Sequence, residues 1–204
     1  MPEQQPAQPV DPRHAASLLV WRETNEVVEI LMGMRGARHR FMPNRLVFPG
    51  GAVDGADLNA PFATGVARHT EWALHRNASP ELARGLAIAA ARELLEETGL
   101  SLGVPPELDG LEYLARAVTP ADSPIRFNAR FFHVHTSRVT GTIGGDGELE
   151  NLRYYGMAEA MSLDLAAPTR RMLEQLRIWL AMNEADRAAR THVPVLKDRG
   201  WELE

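Results

Sequence analysis

Two mostly apolar runs open the patterned part of the chain: residues 14–22, HAASLLVWR, and residues 26–35, EVVEILMGMR. Both are strand-like, and the polar ETNE at their junction predicts a hairpin. Residues 36–45, GARHRFMPNR, form a basic loop. Residues 46–57, LVFPGGAVDGAD, are a short apolar strand that breaks into a Gly-rich turn. No clean period runs through residues 58–78, which are read as an irregular insertion with a helical turn near EWALHR. A helix start follows: Ser79 as N-cap, Pro80 at the first position and Glu81 in the first turn. This helix is predicted to run to Thr98 and stop at Gly99 in a left-handed C-cap. Strands are predicted over 112–120, 129–136 and 152–156, with a loop over 141–151 and a short helix opening at MAEAMSL. A long helix is predicted over 169–190, with Met172, Leu173, Leu176, Trp179, Leu180 and Asn183 on one side. That stripe reads as core, with a homodimer contact as its alternative use.

Strands precede, interrupt and follow helices, so the predicted class is a mixed α/β layered domain. At 204 residues the chain suffices for one such domain with a real core. The expected organisation is a disordered Pro/Gln-rich lead over 1–12, one domain over 13–190 and a tail over 191–204.

Charge narrows the function. The net charge of −5 argues against a general nucleic-acid binder, which needs a basic surface. The absence of cysteine excludes disulfides, thiolate metal sites and a cysteine nucleophile. No apolar run approaches the ~20 residues of a membrane span. The N-terminus has no basic and apolar pair of regions like a signal peptide, so a cytoplasmic location is the expectation. His133 and His135 share a strand face, but with no third ligand nearby they read as strand polar positions rather than a zinc site.

The end of the predicted helix over 80–98 breaks a local rule. Glu93, Glu96 and Glu97 crowd its last turns, where the helix dipole disfavours carboxylates. At i, i+3 and i+4 they project from one side, close together. A solvated acidic face is one reading. The other is a set of hard oxygen donors converging where Mg²⁺ or Mn²⁺ would cancel both repulsions.

RELLEETGL, residues 92–100, resembles the Nudix box: Arg-Glu-apolar-any-Glu-Glu-any-Gly-apolar. Gly51 and Asp57 fit the upstream half, with Asp where the family prefers Glu. Residues 58–91 then intervene, 34 where the family has seven, so the chain is read as carrying an insertion inside the box. Loop-closure entropy grows slowly with length, so such an insertion is tolerated. The resemblance implies a Nudix-type α/β/α sandwich with a central mixed sheet flanked by helices. It implies hydrolysis of a nucleotide-type diphosphate substrate, with Mg²⁺ or Mn²⁺ as cofactor. Glu93, Glu96, Glu97 and the Gly51 carbonyl would be metal ligands. Glu93 is also the candidate water-activating base, oriented by Arg92. Glu148 and Glu150, in GELENLRYYG, are candidates for a remote catalytic acid.

Two further stretches resemble the insertion-bearing branch that includes coenzyme A diphosphatases. VTPADSPIRFNARFF, residues 118–132, matches one segment, with Asn128 and Ala129 where the branch has Asp and Thr. MRGARHRFMPNRLVFPGG, residues 34–51, matches the upstream pattern of two arginines and Phe-Pro-Gly-Gly, with Asn44 in place of a glycine. The implied substrate-binding residues are Arg35, Arg40, Phe48, Gly50, Gly51 and Arg126. The implied substrate is coenzyme A or its acyl thioester; NADH, ADP-sugars and dinucleoside polyphosphates are the alternatives, and a binding-only sensor domain is a rival class. Phe131 and Phe132 are expected in the core and the cleft wall respectively, with the reverse order as the alternative.

Overall fold

The computed structural model describes residues 10–36, 44–198 and 200–204. The proposed lead over 1–12 and Arg40 lie wholly or mostly outside these residues. The first hairpin pairs β1 (Arg13–Thr24) with β2 (Val27–Arg35). Asn25 and Glu26 turn it with φ of 49° and 64°, the left-handed backbone that a two-residue hairpin needs. The Gly-rich turn is flanked by β3 (Leu46–Val47) and β4 (Gly50–Ala52). The insertion carries α1 (Arg68–Leu74), and α2 (Pro80–Thr98) follows. Then come β5 (Leu100–Ser101), β6 (Glu112–Val118), β7 (Phe127–His135), β8 (Thr140–Gly141) and β9 (Leu149–Gly156). The remaining elements are α3 (Met157–Ser162), α4 (Ala167–Ala181), α5 (Glu184–Ala188), β10 (Pro194–Lys197) and β11 (Gly200–Leu203).

The central sheet runs β11-β10-β6-β7-β1-β2-β3, with β4 added on β1 and β9 on β2. β1–β7 and β10–β6 are parallel and the other pairs antiparallel, so the sheet is mixed. Side chains alternate between its faces. Leu18, Val20, Phe132 and Val134 pack with Leu86, Ala90 and Leu94 of α2. Leu19, Phe131 and Ala115 pack on the other face with Met172, Leu173 and Leu176 of α4. The result is the three-layered α/β/α sandwich.

α2 starts and stops where its caps predict. Ser79 Oγ accepts from Leu82 N, and Gly99 at φ 71° donates its N–H to Leu95 O. The long helix predicted over 169–190 instead ends at Ala181. Met182 is extended, and Asn183, placed on the apolar stripe from sequence, caps α5 through Asp186 N. The apolar stripe of α4 is spent on the core. Residues 191–204 are no loose tail: β10 and β11 form a hairpin that extends the sheet along β6.

The insertion is docked, not dangling. Leu74 of α1 is fully buried, and Thr70 Oγ1 donates to Leu111 O at 3.1 Å. Leu58 lies against Gly85 of α2, and Arg84 donates to Leu58 O at 2.6 Å. Fully buried Arg130 on β7 donates to Asn77 O and Oδ1 at 3.0 and 2.9 Å, fastening the insertion to the sheet. No helix among the described residues is long and apolar enough to cross a membrane.

Candidate active site

The site forms where the C-terminal half of α2 meets the turn between β3 and β4. Antiparallel pairing holds the turn in place: Ser17 opposes Gly50 and Ala16 opposes Gly51. The Glu93 carboxylate lies directly against the Gly51 backbone, and a Cβ there would collide with it. Only glycine permits this approach. Gly50 N donates to Glu97 Oε2 at 2.8 Å.

Arg92 organises the acids around it. Its Nε and Nη2 grip Asp57 Oδ1 and Oδ2 at 2.9 and 3.0 Å, a bidentate fork. Asp57 is buried and also accepts from Asp54 N at 2.8 Å, closing the turn before the insertion. Arg92 Nη1 donates to Glu93 Oε1 at 2.8 Å and to Glu96 Oε2 at 3.0 Å. The pairing with Asp57 raises the Arg92 pKa further, so its charge is permanent. The long insertion thus leaves the Asp57–Arg92–Glu93 relay unbroken, because it leaves and rejoins the site outside that relay.

Burial dominates the carboxylates. Glu97, 1% exposed, is pushed up to about 8 chiefly by desolvation, with the Glu93 and Glu148 charges adding to it. Its hydrogen bond from Gly50 and the Arg35 charge act the other way. Desolvation also raises Glu93, against the pull of Arg92. Arg35 Nη2 stands 3.9 Å from Glu97 Oε1 and 3.6 Å from Glu148 Oε1, so it bridges the two acids.

The loop before β9 delivers Glu148. Gly144 N donates to Thr98 O at 2.8 Å, and Asp146 N to Glu96 O at 3.0 Å, which caps the last carbonyls of α2. Gly145, at φ 99°, presses so closely on Glu97 O that a Cβ would collide with it. Glu148 reaches the cavity from this anchored loop. Glu150 does not: it is exposed on β9, opposite Met34.

The cavity, about 750 Å³, has Arg35, Gly50, Gly51, Glu93 and Glu148 at one end. Phe48, Phe127 and Phe131 line it further along, and Phe48 meets Phe131 edge to face at 6.4 Å. Phe131 is therefore the cleft wall and Phe132 the fully buried core residue, the alternative of the two orders. Register alone cannot choose a face; only the positions of α2 and α4 do. Arg126 is not part of the lining. Its Nε donates to Thr119 O and its Nη1 to Val10 O, so it braces the lead into β1 against the turn after β6. The sequence reading also missed Arg13, Ser17 and the first turn of α4, Ala167 to Thr169, which line the cavity. They carry no motif; a two-residue alternation of small and polar residues in β1 was the only signal.

The donors suit a hard divalent cation in kind: buried carboxylates that suffer from their own charge, beside a glycine backbone. Among the described residues, no group of three or more His, Cys, Asp or Glu is already gathered to hold a metal ion. Glu96 accounts for part of this, being half-exposed and turned to Arg92.

The sequence profile of the NUDIX domain matches residues 81–176. A crystal structure of a NUDIX hydrolase from Alicyclobacillus acidocaldarius superposes with a TM-score of 0.63 at 25% identity, covering 80% of this chain and 90% of that one. The NUDIX domain of Shewanella oneidensis NrtR, crystallised with ADP ribose, superposes at 0.55 with 16% identity, over 84% and 90% of the two chains. Nudix hydrolase 7 of Caenorhabditis elegans is 35% identical over 88 residues, which is 43% of this chain and 22% of that protein. The alignment thus spans about a fifth of that curated relative. Residues 81–176, which include the acid-bearing α2, thus carry a Nudix domain, on a sandwich similar to that of these hydrolases.

Proposed function

We propose that the chain is a divalent-metal-dependent hydrolase of diphosphate bonds, acting on coenzyme A or an acyl thioester of it. Products would be 4′-phosphopantetheine, acylated or not, and adenosine 3′,5′-bisphosphate. One observation carries the reaction class: Glu93 and Glu97 of α2 meet the Gly50–Gly51 turn at the end of a cavity large enough for a nucleotide-type ligand. The substrate rests on the resemblance of residues 34–51 and 118–132 to coenzyme A diphosphatases.

Glu93, Glu97 and the Gly51 carbonyl would hold the cation, with Glu96 joining on release from Arg92. Bound there, a divalent cation neutralises phosphate charge and acidifies water. Arg92 fixes the Glu93 carboxylate, and Asp57 fixes Arg92. Glu93 and Glu148 both line the cavity, so the proton of the attacking water passes to one of these carboxylates. Water adds to one phosphorus, the bridging oxygen leaves with its electron pair, and two phosphomonoesters result. Arg35, between Glu97 and Glu148, is placed to take up phosphate charge when a cation relieves it of the acids.

The test is a panel of coenzyme A, NADH, an ADP-sugar and a dinucleoside polyphosphate with Mg²⁺ or Mn²⁺ and with chelator, products identified by mass. Turnover of coenzyme A that stops with chelator is expected. Turnover of NADH without coenzyme A would overturn the substrate assignment, and no metal-dependent turnover of any would overturn the reaction class.

A further inference from the structure

The cavity floor has a shape that no motif records. Strand registers align one residue from each of five neighbouring strands: Ala52 opposes Ala15, Ala15 opposes Ala129, Ala129 opposes Ala117, and Ala117 opposes Leu196. Residues directly opposite share a sheet face. All five line the cavity. Ala52 adjoins Gly51, so the row begins at the reactive end. Four inter-strand steps of ~4.8 Å carry it about 19 Å across the sheet.

On β7 the positions flanking the row are taller. Two residues along β7 in either direction stand Phe127 and Phe131, and along β1 stand Arg13 and Ser17. Ala52, Ala15, Ala129 and Ala117 present only methyl groups beside these side chains, a trough that ends at Leu196. The first turn of α4 covers it from the opposite side. A nucleobase would occupy only a fraction of its length, and the methyl row presents no group that reads base edges. The length instead equals about five to six units of extended chain.

We propose that this alanine row is the subsite for an extended, acyclic chain attached to the scissile diphosphate: in coenzyme A, the pantetheine arm. The diphosphate end rests on the hydrolase reading above; the trough itself rests on the registers. Phe127 and Phe131 stand on either side of the row and disfavour groups bulkier than such a chain. Ala15, Ala129 and Ala117 are specificity residues because any larger side chain there fills the floor.

Calorimetry with 4′-phosphopantetheine and with inorganic phosphate, in Mg²⁺ buffer, tests this without turnover. The wild type should bind 4′-phosphopantetheine at least about tenfold more tightly than phosphate, the return on burying some 60 Å² of apolar surface. Ala129→Phe should abolish that ratio, and Ala117→Leu, one strand further from the diphosphate, should reduce it. Melting curves show that each variant is folded, and the second serves if the first is not. Equal affinity for the two ligands in the wild type, or an unchanged ratio in the folded variants, overturns the proposal. The parent reading fails separately. If coenzyme A is not hydrolysed while the ratio and its loss in the variants hold, the trough stands and the diphosphatase assignment falls. If coenzyme A is hydrolysed and Ala129→Phe leaves the ratio intact, the assignment stands and the trough falls.

Discussion

The two faces of the central sheet come from the same strands and behave oppositely. Toward α2, Leu18, Phe132 and Val134 fill the space completely. Toward α4, the core is as tight around Leu19 and Leu173, but it opens into a cavity where Ala15, Ala129 and Ala117 stand. Topology is common to both faces; side-chain volume at three positions separates a core from a binding site. The α2 face spends its apolar surface on stability and thereby holds Glu93 and Glu97 still. The α4 face gives up packing to make room.

The largest effect is expected at the acids that the α2 face positions. Glu97→Gln should lower kcat for metal-dependent hydrolysis on the order of 10²-fold or more, with an unchanged melting curve. Undiminished turnover in that variant would remove Glu97 from the metal set.

Next comes a paired substitution across the sheet. Phe132→Ala should cost about 3–5 kcal/mol in a denaturant melt, because it leaves a sealed void. Phe131→Ala, one residue away, should cost roughly 1.5–3 kcal/mol, since its space merges with an existing cavity and only the transfer term is lost. Equal costs would mean that the two faces are packed alike.

The smallest effect concerns the dry end of the α4 face. His133 is buried between Trp21 and Trp179, with Trp21 Nε1 donating to its Nδ1 at 3.3 Å. Burial pushes its pKa down to about 3, with the Arg190 and Arg187 charges adding to the fall. The folded state therefore refuses a proton that the unfolded chain accepts below about 6.5. Stability is intact above that pH and declines as pH falls from about 6.5 toward 3. At pH 5 the loss from this group should be about 2 kcal/mol. His133→Gln should flatten the difference between pH 7 and pH 5 by that amount in urea melts; an unchanged slope would show that water reaches this end of the face.

Much of the fold was legible because its signals are local. Ser79, Pro80 and Gly99 delimit α2 through hydrogen bonds spanning a few residues. The hairpin turn, the strands and the acid triplet are likewise written within short windows. Residues 182–183 were misread because an apolar stripe continues past a helix end that Asn183 imposes. The C-terminal hairpin was missed because β10 finds its partner on β6, nearly eighty residues upstream. At the site, Glu148 and Glu150 have the same local credentials. The anchoring of residues 144–146 on the carbonyls of α2 separates them.

The sequence by itself determined the acidic end of α2, the glycine turn it needs, and the layered class, since caps, periodicity and charge placement act over a few residues. Only the tertiary structure decided that Asp57 still grips Arg92 across the insertion, that Phe131 and not Phe132 faces the cavity, and that three alanines far apart in the chain form one floor. Those outcomes depend on strand register and on which helix covers which face, and both are set by packing between segments that no local pattern connects.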